Sequence, residues 1–213
     1  MAPADFTREP SRRDLLAVIP ALAFSVPAFA AVKGHAGMNE LLDMSAVSLA
    51  GAIRKKDVSA RELMTAHIAR VDALNPRFNA IVSRIDRPLA MGQAAACDED
   101  AAAGRFRGVL HGFPHAVEDT APAKGIRFTQ GSPILKDNIP AADSLVVSRM
   151  RGAGAIFVGK TNVPEFALGS HSYNPVFGTT GNAFDPGKSA GGSTGGGAVA
   201  LALRMVPLAD GSD

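Results

Sequence analysis

Residues 188–197 read KSAGGSTGGG, and five of these ten positions are glycine. Glycine reaches positive φ without penalty and lets a second backbone come close, so a cluster of this density specifies a crowded corner. The residues that follow, from Ala198 to Leu203, are apolar all round, which predicts a helix buried inside the fold and entered from the glycine loop. Ser193, set within Gly-Gly-Ser-Thr-Gly-Gly, is then presented on a tight turn at a helix N-terminus. A phosphate cradle is the competing use of such a loop, since GNAFDPGKS ends in Gly-Lys-Ser. Five residues separate Gly181 from Gly187 where the cradle needs four, and Pro186 withdraws an N–H that should face phosphate. Nucleotide binding is set aside.

The rest of the chain alternates helix and strand. SAVSLAGAIRKKD from Ser45 is amphipathic, with Lys55 and Lys56 in its last turn. A second helix follows, in which Ser59 and Glu62 have capping-box spacing and Asn75-Pro76 is expected to stop the run. FNAIVSRI (78–85) reads as a strand, and RPLAMGQAAACDEDAAAG as a helix ending before Gly104. A helix from about Ser144 to Arg151 leads to a buried strand AIFVG and a loop starting at Lys160. Lys160 and Lys188 read as solvated loop lysines. His67 stands alone on its helix and reads as a packing or surface residue. His111 and His115 have Gly112 and Pro114 between them, which denies the helix that would aim both at one metal, and no metal site is expected.

Twenty-two basic and twenty acidic residues nearly cancel, so no field suited to nucleic acid is built. Cys97 is the single cysteine, which excludes an intramolecular disulfide; acids just after it disfavour a reactive thiolate. The first thirty residues resemble a twin-arginine signal peptide, with Arg12 and Arg13 before an apolar run and Ala28 and Ala30 around Phe29. The run is broken by Pro20 and Pro27 and is too short for a stable membrane anchor. The expectation is export to a bacterial periplasm or beyond, with residues 31–213 as the mature part.

KSAGGSTGGGAVALALRMVPLADGSD is similar to the signature region of the amidase signature family, and so, in order, are GVLHGFPHAVEDTAPAKGIRFTQGSPIL, GAIFVGKTNVPEFALGS and NPVFGTTGNAFDP. The resemblance covers nearly all of residues 38–213. It implies an α/β fold, a mixed central sheet flanked by helices, present as its N-terminal portion. It implies hydrolysis of a linear amide C–N bond, no cofactor, and a small amide as substrate. In that family a lysine, a bridging serine after a cis peptide and a nucleophilic serine form a triad. Ser193 stands at the bridging position, with Gly191, Gly192, Thr194, Asp119 and Asn162 in supporting places. Asp119, Asp143, Asn162 and Glu165 read equally as side chains that tie loops together.

Two departures stand out. The family's Gly-x-Pro-x-x-x-Lys-Asp is GFPHAVED here, so Glu118 occupies the lysine position. A carboxylate with an ordinary pKa of about 4.3 is a far weaker base than a desolvated amine, and its stem is shorter. The nucleophilic serine belongs after VPLADGSD, beyond Asp213. The expectations are therefore an inactive, fragment-like chain, with an exposed sheet edge and apolar surface near residues 198–203. The alternatives are a non-catalytic binding protein or one component of a tRNA-dependent amidotransferase.

Overall fold

A computed structural model describes residues 37–212. The signal-like segment lies outside the described residues. Four helices open the structure: α1 (Met38–Asp43), α2 (Ala46–Lys55), α3 (Ala60–Phe78) and, after the two-residue strand β1 (Ile81–Val82), α4 (Arg87–Ala102). Strand β2 (Pro114–Glu118), helix α5 (Leu145–Gly152) and strand β3 (Ile156–Thr161) form a parallel crossover unit. A small hairpin of β4 (Tyr173–Asn174) and β5 (Gly178–Thr179) precedes the last helix, α6 (Gly195–Ala202). The sheet order is β1-β3-β2, with β1 antiparallel and β2 parallel to β3.

The capping box at Ser59 forms as its spacing predicts. The Ser59 amide donates to Glu62 Oε2 at 2.9 Å, and the Glu62 amide donates to Ser59 Oγ at 3.1 Å. The helix does not end at Asn75-Pro76 but runs on to Phe78. Pro76 lies in the last turn, so little ladder is lost, and Phe78 packs with Ile81, Val199 and Met205. Residues 78–80 therefore belong to the helix and its exit, which shortens the expected strand to Ile81–Val82. Asn79 closes α3 in the left-handed conformation, and its side chain donates to Phe177 O at 2.7 Å. Cys97 is buried where α4 meets Met64 and Ile68 of α3, and burial raises its thiol pKa.

The two faces of the sheet carry separate cores. Ala116 of β2 packs with Val71 of α3 and with Val199 and Ala200 of α6. Val117, its neighbour, packs on the opposite side with Val147 of α5 and with Phe157. A bulge interrupts the β2–β3 register between His115 and Ala116: His115 pairs with Phe157, Ala116 with Gly159, and Val158 is the extra residue. The extra residue shifts the phase of β3, so Phe157 and Lys160, three apart, both fall on the α5 side.

Two expectations are corrected here. β2 stands at the end of the strand order, yet all five of its residues are buried, so no open edge appears there. Helix α6 is not buried all round: Val199 and Ala200 face the core, while Ala198, Leu201 and Ala202 are exposed, which leaves the apolar surface expected near residues 198–203. It also begins earlier than expected, inside the glycine run.

His67 lies buried in α3 with Nδ1 3.2 Å from Met205 O, and burial pushes its pKa down to about 4. An unfolded chain takes up this proton near pH 6.5, whereas the folded protein resists until about pH 4. Stability therefore falls as the pH drops through that window, by about 3 kcal/mol from this group. Urea unfolding of the protein and of His67→Gln at pH 7 and pH 4 checks this: the wild-type loss exceeds that of the variant.

Candidate functional site

The glycine loop is clamped against the end of the sheet by backbone and serine contacts. The Ser172 amide donates to Gly191 O at 2.8 Å, Ser172 Oγ donates to Ser193 O at 3.0 Å, and the Gly195 amide donates to Ser172 Oγ at 2.9 Å. One hydroxyl thus fixes both sides of Ser193 and Thr194. The Gly192–Ser193 peptide is cis. Gly191 has φ +80°, a region that a side chain would strain. Gly196 donates to Asn162 O at 3.1 Å, and a Cβ there would lie 2.3 Å from the Asn162 nitrogen. Only glycine permits that approach.

Asn162, just past β3, ties the loops around this corner. Its amide donates to Thr180 Oγ1 at 3.0 Å and to Gly178 O at 3.2 Å, while its oxygen accepts from Asn174 Nδ2 at 2.7 Å. Glu165 accepts from Ser132 Oγ at 2.6 Å, and Asp143 accepts from the Lys124 amide at 2.7 Å and from Arg151 Nε at 2.7 Å. The Arg151 bond holds the Asp143 carboxyl below its ordinary range, against a smaller opposing effect of burial. These three side chains make the loop-tying contacts read from the sequence.

Glu118 ends β2. Strand alternation gives it the same face as Ala116, the face on which α6 and the glycine loop pack. It is buried, its Oε2 accepts from Thr120 Oγ1 at 2.9 Å, and its Oε1 has no hydrogen-bond partner. Thr161, its cross-strand neighbour, also carries a buried hydroxyl without a partner. The Glu118 amide is held by Asp210, 3.2 Å from both carboxylate oxygens, and Asp210 also lies 2.9 Å from His115 Nε2. Burial works to raise the Asp210 pKa, but the His115 bond and charge and the Glu118 amide outweigh it, so the carboxyl sits below its ordinary range. Asp210 in turn leads to the glycine loop: the Ser212 amide donates to Thr194 Oγ1 at 3.4 Å. Glu118 and the Ser193–Thr194 corner are thereby held to one short segment, residues 210–212.

Lys160 is not a solvated loop lysine. It is a wholly buried residue of β3, donating to Ala121 O, with Nζ 4.0 Å from Asp119 and 5.4 Å from the centre of the Phe128 ring. Burial drives its pKa down to about 8 in spite of the attraction of Asp119, Asp210 and Glu118. Asp119 is likewise raised by burial, although Thr129 donates to it from both its amide and its hydroxyl, the latter at 2.7 Å, and Lys160 attracts it. For both groups desolvation outweighs their mutual attraction. Local sequence carries no sign of this, because every partner of Lys160 except its strand is distant in the chain. The bulge sets Lys160 on the α5 side with Val117, whereas Glu118 looks to α6. The register thus pairs the buried amine with Val117 and not with Glu118, although the charges of Glu118 and Asp210 still reach it.

His111 and His115 are kept apart by their bonds: His111 Nε2 lies 2.9 Å from Cys97 O, and His111 Nδ1 accepts from the Arg107 amide at 3.2 Å. Among the described residues no cluster of His, Cys, Asp and Glu could hold a metal. Lys188, by contrast, is exposed and paired with Asp185 at 3.3 Å. A contact with no signal in the sequence joins Ser189 Oγ to His171 Nδ1 at 3.0 Å, at the surface and across the β4–β5 hairpin in sequence.

Comparison with known proteins bears on this arrangement. The Amidase family model matches residues 62–213. A glutamyl-tRNA(Gln) amidotransferase component from Salinispora arenicola is 43% identical over 176 residues, 83% of this chain and 36% of the relative. Acylamidase of Rhodococcus erythropolis is 41% identical over 170 residues, 80% of this chain and 35% of the relative. The chain thus spans about a third of the length of these curated relatives. Among solved structures, fatty acid amide hydrolase superposes with TM-score 0.78 at 25% identity, covering 83% of this chain and 31% of that one. Native peptide amidase from Stenotrophomonas maltophilia gives 0.72 at 31% identity, covering 78% and 35%.

The buried amine makes a prediction of its own. Between about pH 8 and 10.5 the unfolded chain holds the Lys160 proton and the folded chain does not, so stability rises with pH across that window, by about 3 kcal/mol from this group. Below pH 8 the full penalty of burying the charge applies. Lys160→Met should flatten the rise, read as the difference between the two proteins in denaturant midpoints at about pH 7.5 and pH 10.

Proposed function

This chain belongs to the amidase family, and we propose that residues 37–212 form the relay corner of an amide-hydrolysing fold whose proton relay is disabled at Glu118. The reaction class is hydrolysis of a linear carboxamide C–N bond, with a small amide as substrate. Ser193 would act as the bridging hydroxyl, its carbonyl and the following turn fixed by Ser172. A relay of this kind needs a buried neutral amine to take the proton from the attacking hydroxyl. The observation that carries the proposal is the buried side chain of Glu118 at the end of β2, the position at which the family's sequence pattern has lysine. A carboxylate is a weak base at neutral pH, and Lys160 lies on the other face of the sheet.

The purified protein of 213 residues is accordingly expected to release no ammonia from simple carboxamides such as acetamide and benzamide above the level of buffer. Ammonia release that disappears in Ser193→Ala would sink the proposal. The substitution leaves the Ser172 contacts in place, because these use the backbone of residue 193, so a loss could be assigned to the hydroxyl.

On their sequence alone, we further propose that residues 1–30 direct export. A fusion of residues 1–35 to a folded reporter should reach the periplasm and should stay in the cytoplasm once Arg12 and Arg13 are replaced by lysine. Retention of the unaltered fusion in the cytoplasm would overturn this.

A further inference from the structure

We propose that Ser189 and His171 form a surface dyad that accepts acyl groups from activated esters, separate from the Ser193 corner. Ser189 Oγ lies 3.0 Å from His171 Nδ1 and accepts the Gly191 amide hydrogen at 3.2 Å. With that N–H occupying one lone pair, the productive arrangement has the hydroxyl hydrogen pointing to Nδ1 and the ring proton on Nε2. A serine bonded to a neutral imidazole is the minimal activated nucleophile. The segments that carry the two residues are pinned together by contacts that do not involve either side chain. The Ser172 amide donates to Gly191 O at 2.8 Å, and the His171 backbone packs against Gly192 so closely that a Cβ there would sit 2.8 Å from its nitrogen; within the Ser189 loop itself the Asn182 amide donates to Lys188 O at 2.9 Å. The dyad is thus held by the frame rather than by a flexible pair of side chains.

The exposure of the pair defines the substrate class. His171 is exposed and Ser189 half-buried, so the pair sits at the surface, where an unreactive amide would be neither enclosed nor oriented. It suits a small aryl ester with a good leaving group. In the step itself Ser189 Oγ bonds to the ester carbonyl carbon while its proton passes to His171 Nδ1. The C–O bond to the aryl group then breaks, and the imidazolium proton goes to the departing phenolate. Water, deprotonated by His171, later cleaves the acyl-serine to the free acid. One ester and one water give one acid and one phenol.

The test is incubation of the protein with p-nitrophenyl acetate, following nitrophenolate release and locating the acetyl group by peptide mapping. The expected result is acetylation at Ser189, slowed about 100-fold by His171→Gln and left unchanged by Lys188→Ala. Because Ser189→Ala removes an acceptor from the Gly191 amide, the surface substitution His171→Gln carries the decision, with melting temperature checking that the fold is intact. Acetyl found only on lysines or on Ser193, no release above the uncatalysed rate, or an unaltered rate in His171→Gln would each overturn the proposal. Acetyl on Ser193 would count against the disabled relay as well, whereas the other outcomes leave the amidase reading, which rests on Glu118 and Ser193, where it stands.

Discussion

The first turn of α6 lies against the end of β3 with backbone on backbone, and the rest of the corner is arranged around that approach. Gly196 donates to Asn162 O and has no room for a Cβ. The helix can reach the sheet only through glycine, and once there it fixes the residues on either side of it. Ahead of the helix, Ser172 takes the Gly195 amide and gives its hydroxyl hydrogen to Ser193 O. Behind it, Val199 and Ala200 enter the core beside Ala116, and Met205 and Val206 follow them. Asn162 carries the same constraint outward to Asn174 and Thr180, so the hairpin and the glycine loop are set by one residue at the strand end.

The sheet separates two sets of charges that lie close together in sequence. Glu118 and Asp119 are neighbours, but alternation turns one toward α6 and the other toward Lys160. The bulge at Val158 completes the separation by returning Lys160 to the α5 face. Asp210 then occupies the edge of β2, where it holds the Glu118 amide and His115. The buried acids on the two faces differ in their partners: Asp119 has Thr129 and Lys160, while Glu118 has a single hydroxyl from Thr120 and one oxygen unpaired.

Much of this is legible in the residues, and the limits are physical. The capping box at Ser59, the stop before Gly104 and the crossover from Ser144 into a buried strand depend on local chemistry, and local chemistry shows in sequence. The exit of α3 does not show, because Pro76 breaks helices on average while the pull that carries this one onward is Phe78 meeting Val199 and Met205. The burial of Lys160 is hidden for a similar reason: Ala121, Asp119 and Phe128 reach it only after the strands pair. The α6 run reads as buried all round because composition records hydrophobicity and not which side finds a partner. At the site, Glu118 and Ser193 can be picked out as positions, but the face each occupies needs the register and its bulge.

Two hydroxyls on one loop end in opposite circumstances. Ser193 follows the cis peptide at the corner between α6 and the sheet, joined through Thr194 to the segment 210–212 that also holds the Glu118 amide. Ser189, four residues earlier, stays at the surface with an imidazole at hydrogen-bond distance. A hydroxyl becomes a nucleophile through the base beside it and not through the rigidity of its loop. On the proposed reading the difference in chemistry between the two serines comes from Glu118 on one side and His171 on the other. A carboxylate in place of an amine in the buried corner leaves the fixed contacts of Ser193 untouched, since these run through Ser172. On the proposed reading it takes away the proton acceptor, so a corner of this kind can keep its shape without the base that an amide-hydrolysing relay needs.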